Sequence, residues 1–331
     1  MSASTFWNYK VDESRRRKIV VFTDCESDDV AFLRGLRKLH PNSQITLVVG
    51  ESAQIHTKVG IARAMGFFDV IPGLPSDKQF PEMEVFQAYL SKDDDFTYSQ
   101  ERVLAAIRQA DVVVGIKPMR ELVGCTEQFT AEFYMSGSFN LRCLLPDQKI
   151  AASLPFNDLT NMRAGEPHPA KGLRHNFPGE TFFWVETFMA VGEANSVTTI
   201  GQTSDAVFNL VRMEWNNFLC RNALKSIQEM GDLTLDITPK KVASIFRKAK
   251  IANNITECPN QFILADFLVL MAMQGEFVKD AFFTGANPAG YSQFFPVDDN
   301  NGAFPVQIMD GGKTTLVLEL ALALLESLFK D

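Results

Sequence analysis

Short apolar runs rich in β-branched residues alternate with amphipathic stretches through the first 140 residues, and few architectures accommodate that rhythm. Ile19–Phe22, Gln44–Val49, Asp69–Ile71, Asp111–Val114 and Ala131–Met135 read as strands. Their apolar residues run on without alternation, as strands buried on both faces require. Between them, Val30, Leu33 and Leu36 mark the inner face of one helix, and Ala53–Met65 and Ser99–Arg108 read as two more. Strands separated by helices predict an α/β fold: a doubly wound, mostly parallel sheet flanked by helices. Ligands of such sheets sit outside the carboxyl ends of the strands. Asp24, Glu51, Arg120 and Ser136 each follow a strand, so they are expected to face one crevice.

Residues 1–17 read as an N-terminal extension and 18–331 as a single domain. The rhythm breaks at about 141–178, where five prolines and two of the four histidines fall without a clean period. This stretch is expected to be an inserted loop over the crevice mouth. A helical pattern over Thr181–Glu193 follows, then a strand at Ser196–Ile200, a long helix over 204–230 and a smaller helical section to about 249. Gln261–Gln274 reads as an apolar helix, Val278–Phe283 and Phe304–Met309 as strands, and a last helix begins near Gly312.

Net charge is −8, and Arg15-Arg16-Arg17-Lys18 is the densest basic run. Four cations ahead of a strand make a solvated edge, so no nucleic-acid partner is expected. Five scattered cysteines without paired spacing suggest reduced thiols and a cytoplasmic setting. The first seventeen residues hold no apolar signal core, and Glu319 and Glu326 interrupt the most apolar helix, so no membrane span is expected.

The chemistry concentrates at one strand-to-helix turn, Thr23-Asp24-Cys25-Glu26-Ser27-Asp28-Asp29. Two carboxylates about 4 Å apart repel by roughly 4 kcal/mol at an effective dielectric near 20. A helix dipole returns only about 0.3–1 kcal/mol per acid. A hard, oxygen-seeking cation would balance the turn. The plainer alternative is that Asp28 caps the helix, Asp29 is solvated and Asp24 ends the strand. Asp266, alone in an apolar helix, is either a capping carboxylate or a further acid for the same ion.

The turn resembles the aspartate-rich signature of the inosine-uridine-type nucleoside hydrolase family, D-x-D-P-G-x-D-D-A. In the same order along the chain, ITLVVGESAQIHTKVGIARAMG, VIPGLPSDKQF, VVVGIKPMREL, FYMSGS, GETFFWVETFMAV, ILADFLVLMAM and PVQIMDGGKTTLVLELALALL are similar to later segments of that family. The resemblance implies a Ca²⁺-dependent hydrolase of the N-glycosidic bond of a ribonucleoside or related N-ribosyl compound. It implies Asp24, Asp29, Asp266 and the backbone carbonyl of Arg120 as metal ligands, with Asp24 also the general base. It implies substrate contacts from Asp28, Glu51, Asn176, Glu180 and Phe182, and assembly as a homodimer or homotetramer.

Several positions depart from the pattern. Phe22 stands where the first aspartate of the signature belongs, Glu26 replaces its glycine, and Glu51 replaces a sugar-contacting asparagine. Phe182 replaces another asparagine, and Ala265 replaces a histidine. The acids of the ion are kept while the sugar and base contacts change. One reading is a hydrolase of an unusual N-ribosyl compound, with His168 or His175 protonating the leaving base. A second is an impaired relative that binds a ribose-containing ligand or a protein partner. A third, a Mg²⁺ phosphotransferase with Asp24 as nucleophile, needs a D-x-D pair that Asp24-Cys25-Glu26 meets only loosely.

Overall fold

In a computed structural model of the protein, the described residues are 6, 11, 16–77, 84–137, 169–186, 191–193, 261–263, 265–275, 277–284, 293–295, 304–309 and 314–329. Their strands are β1 (Lys18–Thr23), β2 (Gln44–Val49), β3 (Val70–Pro72), β4 (Val112–Gly115), β5 (Glu132–Gly137), β6 (Phe182–Glu186), β7 (Val191–Glu193), β8 (Gln261–Ile263), β9 (Val278–Thr284), β10 (Gln293–Phe295) and β11 (Phe304–Met309). Nine of them form one sheet in the order β10-β9-β11-β6-β5-β4-β1-β2-β3, and β7 pairs with β8 apart from it. From β3 to β11 every neighbour is parallel; β9 runs antiparallel to β11 and β10. The expected α/β fold, doubly wound and mostly parallel, is the fold observed.

Strand order turns at β1. The chain steps outward from β1 to β2 and β3, then returns to place β4 on β1's other side. In sheets of this kind such a reversal is where a ligand crevice forms, which here is the region above the carboxyl ends of β1 and β4.

Each face of the sheet has its own helical cover. On one, Val20, Phe22, Val113, Phe133, Met135 and Phe182 meet Val103 and Ile107 of the Gln100–Arg108 helix and Leu173 of the Pro169–Asn176 helix. The Gln100–Arg108 helix starts where Ser99 accepts a hydrogen bond from the Arg102 N–H, as a capping serine should. On the other face, the Ala265–Met273 helix packs against β5, β6 and the Ser27–Leu39 helix, and the Thr314–Phe329 helix also packs on Ser27–Leu39. Gly35 permits that packing, since a Cβ there would lie 2.6 Å from Cδ1 of Leu270. No helix of the described residues is long and apolar enough to cross a membrane.

Three expectations change. The described residues of Thr181–Glu193 are not helical: Phe182–Glu186 is β6, held in parallel register between β5 and β11, and Val191–Glu193 is β7. A strand covered on both faces has no alternation to betray it, and TFFWVE is rich in aromatic residues that suit a pleated surface. Gln261–Ile263 pairs with Val191–Glu193 as strand, so the apolar helix begins only at Ala265. The last part of the expected insertion, Pro169–Asn176, is helix. Residues 141–168 of that insertion, the Ser196–Ile200 strand and the helices expected over 204–249 lie outside the described residues.

Candidate functional site

β1 ends by delivering Thr23 and Asp24 into the crevice. Cys25 then takes a left-handed backbone conformation (φ 50°), which turns the chain sharply into the helix. The Thr23 hydroxyl accepts the Cys25 N–H at 3.0 Å and donates to Oδ1 of Asp29 at 2.5 Å. The same Asp29 oxygen accepts the Asp24 N–H at 3.2 Å. Asp29 therefore reaches back to brace the end of β1. The N-cap position of this helix is held by Glu26, which makes no side-chain capping bond, and not by Asp28. The Asp28 side chain lies outside the described residues. Asp24 is 9% exposed, Asp29 2% and Asp266 3%.

Opposite, Glu51 follows β2 in a left-handed conformation (φ 57°). Its N–H donates to the Leu74 carbonyl at 2.9 Å, and its carboxylate meets Nη1 of Arg120 at 3.3 Å. Burial pushes the Glu51 carboxyl above the usual range, against the opposing pull of the Lys117 and Arg120 cations. A raised folded pKa means stability that is present below the unfolded value, near 4.3, and lost as pH rises through the folded one. Glu51→Gln is therefore expected to stabilise the protein at pH 7.5 and to have no effect at pH 4. Denaturant unfolding at the two pH values checks this, and an equal gain at both would contradict it.

Beneath this rim lies a pair that the sequence reading misses. Lys117 and Glu121 are both fully buried, with Nζ 2.7 Å from each carboxylate oxygen. The Lys117 ammonium also sits 5.6 Å from the ring centroid of Phe22. A Lys and a Glu four apart in an ordinary-looking turn give no hint of burial. The one usable signal is Gly50 and Gly73 at neighbouring strand ends, where backbone must come close to something.

The remaining expected contacts are not at the crevice. Phe182 lies level with Phe133 on β5, Val113 on β4 and Val20 on β1. Asp24 lies four residues beyond Val20, about 13 Å farther along the strands at ~3.3 Å per residue. Phe182 is fully buried in the core, and exposed Glu180 precedes it toward the opposite edge. Asn176 is also at that edge and is buried, its amide donating to the carbonyls of Cys125 at 2.9 Å and Glu127 at 2.7 Å. It staples the chain before β5 and is not placed to touch a ligand above β1. Asn176→Ala should cost about 1–3 kcal/mol for the two half-buried carbonyls that lose the amide, checked by chemical denaturation. The ring of His175 is likewise 3.3 Å from the Thr126 carbonyl, and His168 lies outside the described residues.

Carboxylate oxygens are suitable donors for a hard cation, and burial of Asp24, Asp29 and Asp266 suits one. Among the described residues no group of three or more His, Cys, Asp or Glu is placed to hold a metal ion. The Arg120 carbonyl accepts the Val123 N–H at 3.1 Å within its own 3₁₀ turn. Asp24 and Asp29 are brought together, and the calcium shell expected from four parts of the chain is not assembled among the described residues.

No family model and no curated protein matches the chain. Among solved structures, the effector protein XOO4466 is similar over 99% of this chain and 97% of its own, with a TM-score of 0.56 and 15% identity. The plant nucleoside hydrolase PpNRh1 has a TM-score of 0.49 and 10% identity over 93% of this chain and 99% of its own. A purine-preferring ribonucleoside hydrolase from Gardnerella vaginalis has a TM-score of 0.49 and 13% identity, covering 95% and 99%. At 15% identity, the likeness to XOO4466 extends to the fold alone.

Proposed function

We propose that the protein binds a ribonucleoside or related N-ribosyl compound in the crevice where the strand order reverses. The observation that carries this reading is the pairing of Asp24 and Asp29 at the end of β1. One oxygen of Asp29 is engaged by Thr23 and by the Asp24 N–H; the reading assigns Asp24, at the strand end, as the acid that meets the ligand, with Asp28 four positions on in the chain. Carboxylates accept and a ribose diol donates, and each charge-assisted bond contributes about 1.5–3 kcal/mol. Binding without turnover is favoured by Glu51, which stands at the position of a sugar-contacting amide and is paired with Arg120.

Titration calorimetry with purine and pyrimidine ribonucleosides and their 2′-deoxy forms tests the reading. Asp24→Asn and removal of the 2′-hydroxyl should each weaken binding by about 10- to 100-fold. Unchanged affinity in Asp24→Asn would sink it.

A second reading, a Ca²⁺-dependent N-glycosidic hydrolase with Asp24 as general base, is favoured by the burial of three acids drawn from distant parts of the sequence. It requires Asp266 and the Arg120 carbonyl to join Asp24 and Asp29 on a calcium ion. Calorimetry with Ca²⁺ on the wild type and Asp266→Ala, followed by assay of released ribose, separates the two. Ribose release from any ribonucleoside would replace the binding-only reading. The homodimer or homotetramer implied by the resemblance is checked by light scattering.

A further inference from the structure

The buried Lys117–Glu121 pair does more than fill space. The ammonium gives two of its hydrogen bonds to Glu121 and one to the Pro118 carbonyl at 2.9 Å. Oε1 of Glu121 also accepts the Leu74 N–H at 2.9 Å. Leu74 in turn accepts the Glu51 N–H, and Glu51 meets Arg120, the neighbour of Glu121. The connections close into a ring through the loops that follow β2, β3 and β4.

Two glycines make way for it. A Cβ on Gly73 would lie 2.5 Å from Oε1 of Glu121, and one on Gly50 would lie 3.1 Å from both that oxygen and Cε of Lys117. Well-packed apolar residues hold loops as firmly as a buried ion pair does, because desolvation offsets most of the Coulomb gain. What the pair adds is direction: a carboxylate with fixed partners accepts the Leu74 N–H from one side only.

We propose that Lys117 and Glu121 are positioning residues for the crevice, setting Glu51 and Arg120 at its rim through Leu74. Only the binding arm of the test rests on the ribosyl-binding reading; amide exchange is read without ligand. The informative comparison is K117M/E121Q against K117M/E121L. Both remove the charges, and only the glutamine variant keeps a side-chain acceptor for the Leu74 N–H.

In K117M/E121L, amide exchange at Leu74 and Glu51 should quicken roughly three- to tenfold, with Leu47 and Val48 unchanged. K117M/E121Q should keep wild-type protection at all four. Any ribonucleoside bound by the wild type should bind K117M/E121L more weakly by a similar factor and K117M/E121Q normally. Equal protection of Leu74 and Glu51 in both variants would overturn the proposal. Faster exchange spread evenly to Leu47 and Val48 would also overturn it, since the pair would then hold the sheet and not the rim. If the wild type binds no ribonucleoside, the ribosyl reading fails and the exchange result still decides the role of the pair.

Discussion

Lys117→Met is expected to cost about 3–5 kcal/mol of folding stability, because it strands a buried carboxylate. Glu121 is fully buried, and its carboxylate also accepts one backbone N–H, from Leu74. Loss of the ammonium leaves it charged without its counter-ion or forces it to take a proton on folding. Removing both charges relieves that conflict, so K117M/E121Q should recover a large part of the loss. The double-mutant cycle by denaturant unfolding is the check. A Lys117→Met cost below about 1 kcal/mol, the range of an exposed pair, would mean that water reaches the pair.

Phe182→Ala is expected to cost about 3–5 kcal/mol, and Phe182→Asn at least as much, since it would also bury an amide among rings. The Phe182 ring is fully buried, 4.9 Å from the ring of Phe133, with the Arg174 guanidinium 5.3 Å above it. The family resemblance sets Phe182 at the position of a sugar-contacting asparagine, and if Phe182 were what excludes ordinary nucleosides, an asparagine there would admit them. In the fold its row of the sheet is the row of Val20, well below Asp24. The structural expectation is therefore a loss of stability with ligand affinity unchanged in the surviving folded protein. Unfolding curves and calorimetry on the same preparation measure both. A stable Phe182→Asn protein with altered nucleoside affinity would restore the original assignment.

These two residue groups mark where reading the chain succeeds and where it stops. The turn Asp24–Asp29 is legible because its chemistry is local: strand, turn and helix start are contiguous, and four acids in six positions demand an explanation. Glu51 and Arg120 are placed correctly at strand ends, because a parallel sheet delivers all its carboxyl-end loops to one edge. Asn176, Glu180 and Phe182 are misplaced for the complementary reason. Their assignment requires knowing which end of β6 they occupy, and a doubly buried strand carries no period that distinguishes it from a helix.

The amino-acid sequence determined the α/β rhythm, the parallel sheet and the acid turn, since each follows from neighbours a few positions apart. Only the tertiary structure decided which acids meet. Asp24 and Asp29 do, the Asp24 N–H donating to the Asp29 oxygen that also accepts from Thr23, whereas a shell including Asp266 is not formed among the described residues. The Lys117–Glu121 pair was likewise decided by the fold, because two charges four residues apart become a buried clamp only when the loops after two other strands close over them.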